Sequence, residues 1–212
     1  VKKAIDYAIQ AGDEATKTFA PDVALEDYRI ALSLLALMEE RVNERMALLE
    51  KCCWLAKSLG NLSYSMELAE QLIELAEKNG RKDMMALGFR IKALILVERR
   101  QDLGSAIKHL TTALEIYQDA KKEGEELRVR ADLGLLYRIK GNMKEARECY
   151  KAVLKIAERL EDKAHLVTAL AGLGVLDELG GNYSGAVEYL TKSVTIATNL
   201  GLMDKLASLF GI

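Results

Sequence analysis

The stretch LGLLYRIKGNMKEARECYKAVL, Leu133 to Leu154, decides how the rest of the chain is read. Ala146, Tyr150, Val153 and Leu154 stand at offsets of 0, 4, 7 and 8, which trace one face of a helix. A second helical run precedes them, and Gly141-Asn142 lies between the two. Gly supplies the left-handed residue that ends a helix, and Asn caps the next one. Asn142 followed by Glu145 has the form of a capping box. The stretch therefore predicts two antiparallel helices, A and B, joined by a tight turn.

The same register recurs along the chain. Ala24, Ser65, Ala106, Ala146 and Ala186 align at intervals of 41, 41, 40 and 40 residues. Four residues on lie Tyr28, Ala69, Leu110, Tyr150 and Leu190. Twelve residues before each anchor stand Gly12, Cys53, Leu94, Gly134 and Gly174. Small side chains there let helix A approach helix B closely, and Leu94 breaks the pattern. The A–B turns fall on Gly60-Asn61, Gln101-Asp102, Gly141-Asn142 and Gly181-Asn182, while Gly80, Gly124 and Gly201 are expected to end B helices. Five helix pairs follow, at about residues 1–38, 42–79, 82–122, 125–160 and 163–200, with a further helix starting over 202–212. No shift in composition divides them, so the expectation is an all-α solenoid forming a single repeat domain over 1–212.

Composition agrees. The 212 residues include one proline, 50% hydrophobic residues and only 6% aromatics. Turn prolines and β-branched strands, the marks of an all-β chain, are scarce. Thirty basic residues against thirty-two acidic ones leave a net charge of −2, without the basic excess of a nucleic-acid domain. No run approaches the eighteen apolar residues of a membrane span. Cys52, Cys53 and Cys149 are too few and too irregular for a disulfide framework. An odd count fits a reducing compartment, so the expected location is cytoplasmic. The first residue, Val1, is not an initiator Met, and the chain stops at Ile212 in an apolar stretch. The expectation is a piece of a longer protein.

The pattern Leu133-Gly134-x2-Tyr137-x3-Gly141-Asn142-x3-Ala146-x3-Tyr150-x3-Leu154 resembles a tetratricopeptide repeat (TPR), and Leu173-Gly174 to Leu190 repeats it. The resemblance covers nearly the whole chain, most clearly residues 87–200. Three departures accompany it. The repeat is 40–41 residues rather than 34, no unit has the early Trp, and the proline after helix B is missing. A helix with no proline to stop it runs on, so this is a long-repeat variety. Comparable lengths occur in kinesin light chain and in sensor regions of bacterial signalling and transcription proteins.

The resemblance implies a right-handed superhelix whose A helices line a concave groove. The family's groove positions fall on Gln10, Asp13 and Lys17 in unit one and on Glu50, Lys51, Trp54 and Lys57 in unit two. Unit three contributes Lys92, Ile95, Glu98 and Arg99. Units four and five contribute Arg128, Asp132, Leu135 and Arg138, then Val175 and Glu178. Trp54, Ile95, Leu135 and Val175 share one repeat position and are expected to form an apolar strip flanked by cations. Such a strip suits a peptide or helix with apolar anchors and acidic groups. The Lys and Asn, one turn apart, that clamp a chaperone's C-terminal carboxylate are absent. The corresponding pairs are Ile9/Asp13, Glu50/Trp54, Ile91/Ile95, Ala131/Leu135 and Ala171/Val175.

Catalytic chemistry finds no foothold. Gly172-x-Gly174 sits within a helix, follows no strand and has Asp177 where a third Gly belongs. His109 and His165 stand alone, at different phases of their repeats. Adjacent Cys52 and Cys53 point about 100° apart on a helix and cannot readily grip one zinc ion. For Cys149 the sequence leaves partial exposure and reactivity open, and nothing near it argues for them. Asn61-Leu62-Ser63 and Asn182-Tyr183-Ser184 match a glycosylation pattern but read better as helix caps. The sequence thus predicts a non-enzymatic interaction module with no metal or cofactor, no nucleic-acid or membrane partner, and apolar end faces that could self-associate. The alternative is a sensing domain, for a small molecule or signal peptide, within a larger regulatory protein.

Overall fold

A computed structural model describes residues 1–99 and 102–201. The expected helix over 202–212 and the Gln101 half of one predicted turn lie outside the described residues. The described residues form ten α-helices, α1 (Lys2–Lys17), α2 (Pro21–Leu35), α3 (Val42–Ser58), α4 (Leu62–Lys78), α5 (Lys82–Glu98), α6 (Leu103–Asp119), α7 (Glu123–Lys140), α8 (Met143–Arg159), α9 (Lys163–Leu179) and α10 (Tyr183–Leu200). Odd numbers are A helices and even numbers B helices, so the five predicted pairs form. Among the described residues there is no strand. The contacts gather into two compact units, Val1–Ala113 and Leu114–Ile212, and the boundary falls inside α6.

One turn design serves most connections. A residue in left-handed conformation ends the helix, and the next residue caps or precedes its successor. Gly60, Gly141 and Gly181 fill this place between A and B, with φ of 74°, 86° and 77°. Asn61 accepts from the Tyr64 amide, and Asn182 from the Gly185 amide, both at 3.3 Å. The two glycosylation-like Asn residues are therefore caps. Asp102 caps α6 through the amides of Gly104 and Ser105, at 2.8 and 3.1 Å. Pro21 opens α2 at a position where no amide donor is lost.

Two local expectations fail. Asn142 makes no side-chain cap, so the box with Glu145 does not close. Gly80 and Gly201 end B helices as expected, but Gly124 lies within α7. The left-handed residue after α6 is Lys121, with φ 53°. Glu161 after α8 and Phe19 after α1 are likewise non-glycine, at 54° and 57°. The turn geometry is therefore imposed by the helices on either side and does not wait for glycine. The α2–α3 connection departs from the design and runs through a single 3-10 turn, Glu39–Arg41.

Packing follows the register. In residues 1–113 a buried core runs from Ile5 through Tyr28, Leu49, Cys52, Cys53 and Leu72 to Ile91 and Ile95. In residues 114–201 Tyr150 of α8 is 2% exposed and lies against glycines of two A helices. A Cβ on Gly134 would stand 2.8 Å from its ring, and one on Gly172 2.6 Å. Gly12 faces Tyr28 in the same way. The buried carboxylate of Asp177 on α9 is held by Arg147 of α8 at 2.6 Å and by the Asn182 amide at 3.0 Å. No described helix is long and apolar enough to cross a membrane.

Candidate functional site

The register brings the C-terminal halves of α1 and α3 together across the ring of Tyr28, and an open cleft of about 600 Å³ forms there. Asp13, Thr16 and Lys17 line it from α1, Tyr28 from α2, and Lys51, Trp54, Leu55 and Ser58 from α3. Gly12 is the reason Tyr28 reaches this side. Its missing side chain leaves room for the ring to pass α1 and present its hydroxyl to the A-helix face.

The polar rim of the cleft is an ordered cluster. The Tyr28 hydroxyl donates to Asp13 Oδ1 at 2.6 Å, and Lys51 Nζ donates to the same oxygen at 2.8 Å. The Lys51 ammonium also lies 5.6 Å from the Tyr28 ring centroid, a cation–π distance. Lys51 first, and Tyr28 next, hold the Asp13 carboxyl below its usual range. Burial, and then the bond to Asp13, push the Tyr28 phenol up. Trp54 is half-buried, with the Arg90 guanidinium of α5 at 5.5 Å from its ring. The cleft thus joins two aromatic side chains and an aliphatic one to a cationic rim.

Other predicted residues of the first unit are placed differently. Ile95 is fully buried in the core with Leu49 and Ile91, so it offers nothing to a partner. Its repeat position changes from lining to core because the register fixes the side of the helix and not how tightly neighbouring helices close over it. Lys92 reaches Glu70 of the B helix α4, at 2.8 Å, and does not line the cleft. Arg99 donates to Ser63 Oγ at the start of α4, at 2.8 Å. Lys57 pairs with Glu98 across α3 and α5. Glu50 is half-buried.

In the second unit, Leu135, Arg138 and Val175 line a small recess with Ala171, Gly172 and Tyr150. Arg138 hydrogen-bonds to Tyr150, whose hydroxyl burial pushes upward in pKa, and Asp132 opposes its ionisation from close by. Arg128 pairs with Glu125 on its own helix at 2.8 Å, and Glu178 is exposed. Sequence reasoning overlooked Tyr28, Leu55 and Arg90. A signal for Tyr28 existed, since a B-helix Tyr opposite an A-helix Gly recurs at Tyr150 and Gly134.

The remaining candidates are structural. Cys52, Cys53 and Cys149 are all buried, which settles the exposure that the sequence left open for Cys149. Burial pushes these thiols up to about 12, 12 and 11. His109 stacks on Phe89 at 5.6 Å, and His165 bonds to Asp162 at the start of α9. Among the described residues no group of His, Cys, Asp or Glu could hold a metal ion.

Paired helices repeating at 40–41 residues, glycine-backed tyrosines and a cleft on the A-helix face define a helical-repeat protein. The model described as tetratricopeptide repeat matches residues 84–159 and 125–199, more than half of the chain, which therefore belongs to the TPR family. The transcriptional activator NprA of Geobacillus stearothermophilus is 29% identical over 168 residues, covering 74% of this chain and 40% of NprA. Aspartyl phosphate phosphatase F from Bacillus subtilis superposes with a TM-score of 0.84 at 17% identity, over 97% of this chain and 54% of that one. A Rap protein complexed with competence and sporulation factor gives 0.79 at 20% identity, over 97% and 57%. At these identities the two solved structures share the fold. This chain spans about half their length, and less of NprA.

Proposed function

We propose that this chain is a non-catalytic interaction module that holds a peptide or helix of another protein against its A-helix face. Trp54 and Lys51 serve as the principal contacts. The observation that carries this reading is the cleft at Trp54, where aromatic walls meet a cationic rim. Trp and Arg are the side chains most enriched at binding hot spots, and here Arg90 steadies the Trp54 ring. A partner with apolar anchors and acidic groups fits this chemistry. Leu135, Arg138 and Val175 form a second, smaller contact in residues 114–201. The three unpaired thiols fit a reducing, cytoplasmic setting.

A sensing role inside a larger regulator is the second reading. It is favoured by the likeness to NprA, a transcriptional activator of which this chain spans 40%. It is also favoured by the Rap protein of the same fold that carries competence and sporulation factor. In both readings the A-helix face is the recognition surface.

The test is a pull-down from the source cells, followed by titration of the recovered partner against variants. Trp54→Ala is expected to weaken binding at least tenfold, and Trp54→Ala with Arg138→Glu to weaken it further. Unchanged affinity in the double variant, with the fold intact by circular dichroism, refutes the assignment of this face.

A further inference from the structure

Asp13 stands at the repeat position filled by Trp54, Ile95, Leu135 and Val175 in the later units. A carboxylate at an otherwise apolar position needs a reason, and the cleft supplies one. One oxygen of Asp13 takes both the Lys51 ammonium and the Tyr28 hydroxyl, at 2.8 and 2.6 Å. The same three side chains line the cleft beside Trp54 and Leu55. The Asp13 and Lys51 side chains keep 40% and 49% of their surface exposed, so the pair is open to exchange with a competing ion. Lys17 adds a second ammonium at the rim and has no ion pair among the described residues. Among the residues that line the cleft, the ammonium groups of Lys17 and Lys51 stand against one carboxylate, Asp13.

We infer that the cleft is a subsite for an apolar side chain carried next to a carboxylate, and that Asp13 occupies the carboxylate's place as an internal stand-in. This rests on the reading of the A-helix face as the recognition surface. An arriving carboxylate takes Lys51 from Asp13, with Lys17 as the adjoining cation, while the apolar group lies against Tyr28, Trp54 and Leu55. Asp13 therefore lowers affinity for anionic ligands and leaves neutral ones of the same shape untouched. It acts as a specificity-setting competitor.

Trp54 is the chain's only tryptophan, so its fluorescence reports on this cleft alone. Three probes separate the possibilities. N-acetyl-Leu-Phe bears a terminal carboxylate, N-acetyl-Leu-Phe-amide bears none, and N-acetyl-Glu-Leu-Phe-amide bears only a side-chain carboxylate. Asp13→Asn keeps an oxygen that accepts from Tyr28 while removing the charge that holds Lys51. An exposed pair of this kind is worth up to about 1 kcal/mol, so Asp13→Asn is expected to tighten binding of a carboxylate probe about three- to fivefold and to leave the neutral amide unchanged. Which carboxylate probe gains tells a chain terminus from an acidic side chain. In Asp13→Asn/Lys51→Gln the gain is expected to disappear. A gain that survives there is a net-charge effect and overturns the inference, as does an equal gain for the neutral probe or no response to any probe in Asp13→Asn. If the partner from the pull-down still depends on Trp54 while the probes fail, the interaction surface stands and the carboxylate subsite falls. If Trp54→Ala leaves that partner bound, the surface assignment itself falls.

Discussion

Tyr150 offers the most exacting test of the packing. Its ring lies against Gly134 on α7 and Gly172 on α9, where an added Cβ would stand 2.8 and 2.6 Å away. Both are well inside the 3.4 Å at which ordinary contact begins. The ring cannot retreat from one helix without pressing on the other. Gly172→Ala therefore forces α9 outward or the ring off its rotamer, at about 1–3 kcal/mol. Replacing a helical glycine by alanine returns about 1 kcal/mol of helix propensity. The expected net loss is up to about 2 kcal/mol. Gly174→Ala is the matched control. Its Cβ would meet Cδ2 and Cγ of Leu190, both at 2.7 Å, on a flexible side chain that is half-exposed and can give way, while the Ala186 carbonyl stays at 3.4 Å. That variant is expected to be neutral or slightly stabilised. Urea unfolding followed by far-ultraviolet circular dichroism measures both. In a Tyr150→Leu background the Gly172→Ala penalty should vanish and the propensity gain emerge. A Gly172→Ala protein at least as stable as the parent refutes the argument, as does a penalty that is the same with and without the Tyr150 ring.

Further outcomes follow from other parts of the molecule. With thiols pushed up to about 11 and 12, the native protein should show almost no reaction with Ellman's reagent at pH 8 and three equivalents in denaturant; a fast-reacting thiol in the folded state contradicts this burial. Lys121→Gly and Glu161→Gly relieve a left-handed residue and should each raise stability by about 0.5–1 kcal/mol after the entropy of glycine is counted, as read from urea midpoints. Asp13 is ionised more readily in the folded state, so its contribution is fully present above the ordinary carboxylate range and is lost as pH falls through its lowered folded value. The stability gap between the parent and Asp13→Asn should thus be flat above about pH 5 and close below about pH 4, and it should stay under about 1 kcal/mol because the pair is half-exposed.

The architecture was legible because it is written in spacing. Anchors 40–41 residues apart, Gly-Asn turns and small residues on helix A twelve before each anchor suffice to place the helix pairs within a few residues. The site was legible only in part. Register assigns a side chain to a face of its helix, and on that face Trp54 and Lys51 line the cleft. It does not say where a long cation ends, so Lys92 found Glu70 on α4 and Arg99 found Ser63. Nor does it measure how closely helices approach, so Ile95 vanished into the core. Arg90 over Trp54 joins two different repeats, and neither repeat's own pattern foretells it. The left-handed Lys121 and Glu161 escaped notice because local preference favours glycine there, whereas the helices on either side set the turn.

A repeat array whose units touch only their neighbours melts as one body only if the bonds between units are strong compared with the units themselves. Tyr150 belongs to one repeat and fills a space made half by its own A helix and half by the next. Its energy is therefore a coupling term, shared across the junction and lost by both sides at once. Truncating that ring would broaden the melting of residues 114–201, as the two repeats lose the bond that couples them. A single side chain thus helps decide whether these two repeats respond to heat, or to a pulling partner, together or in turn.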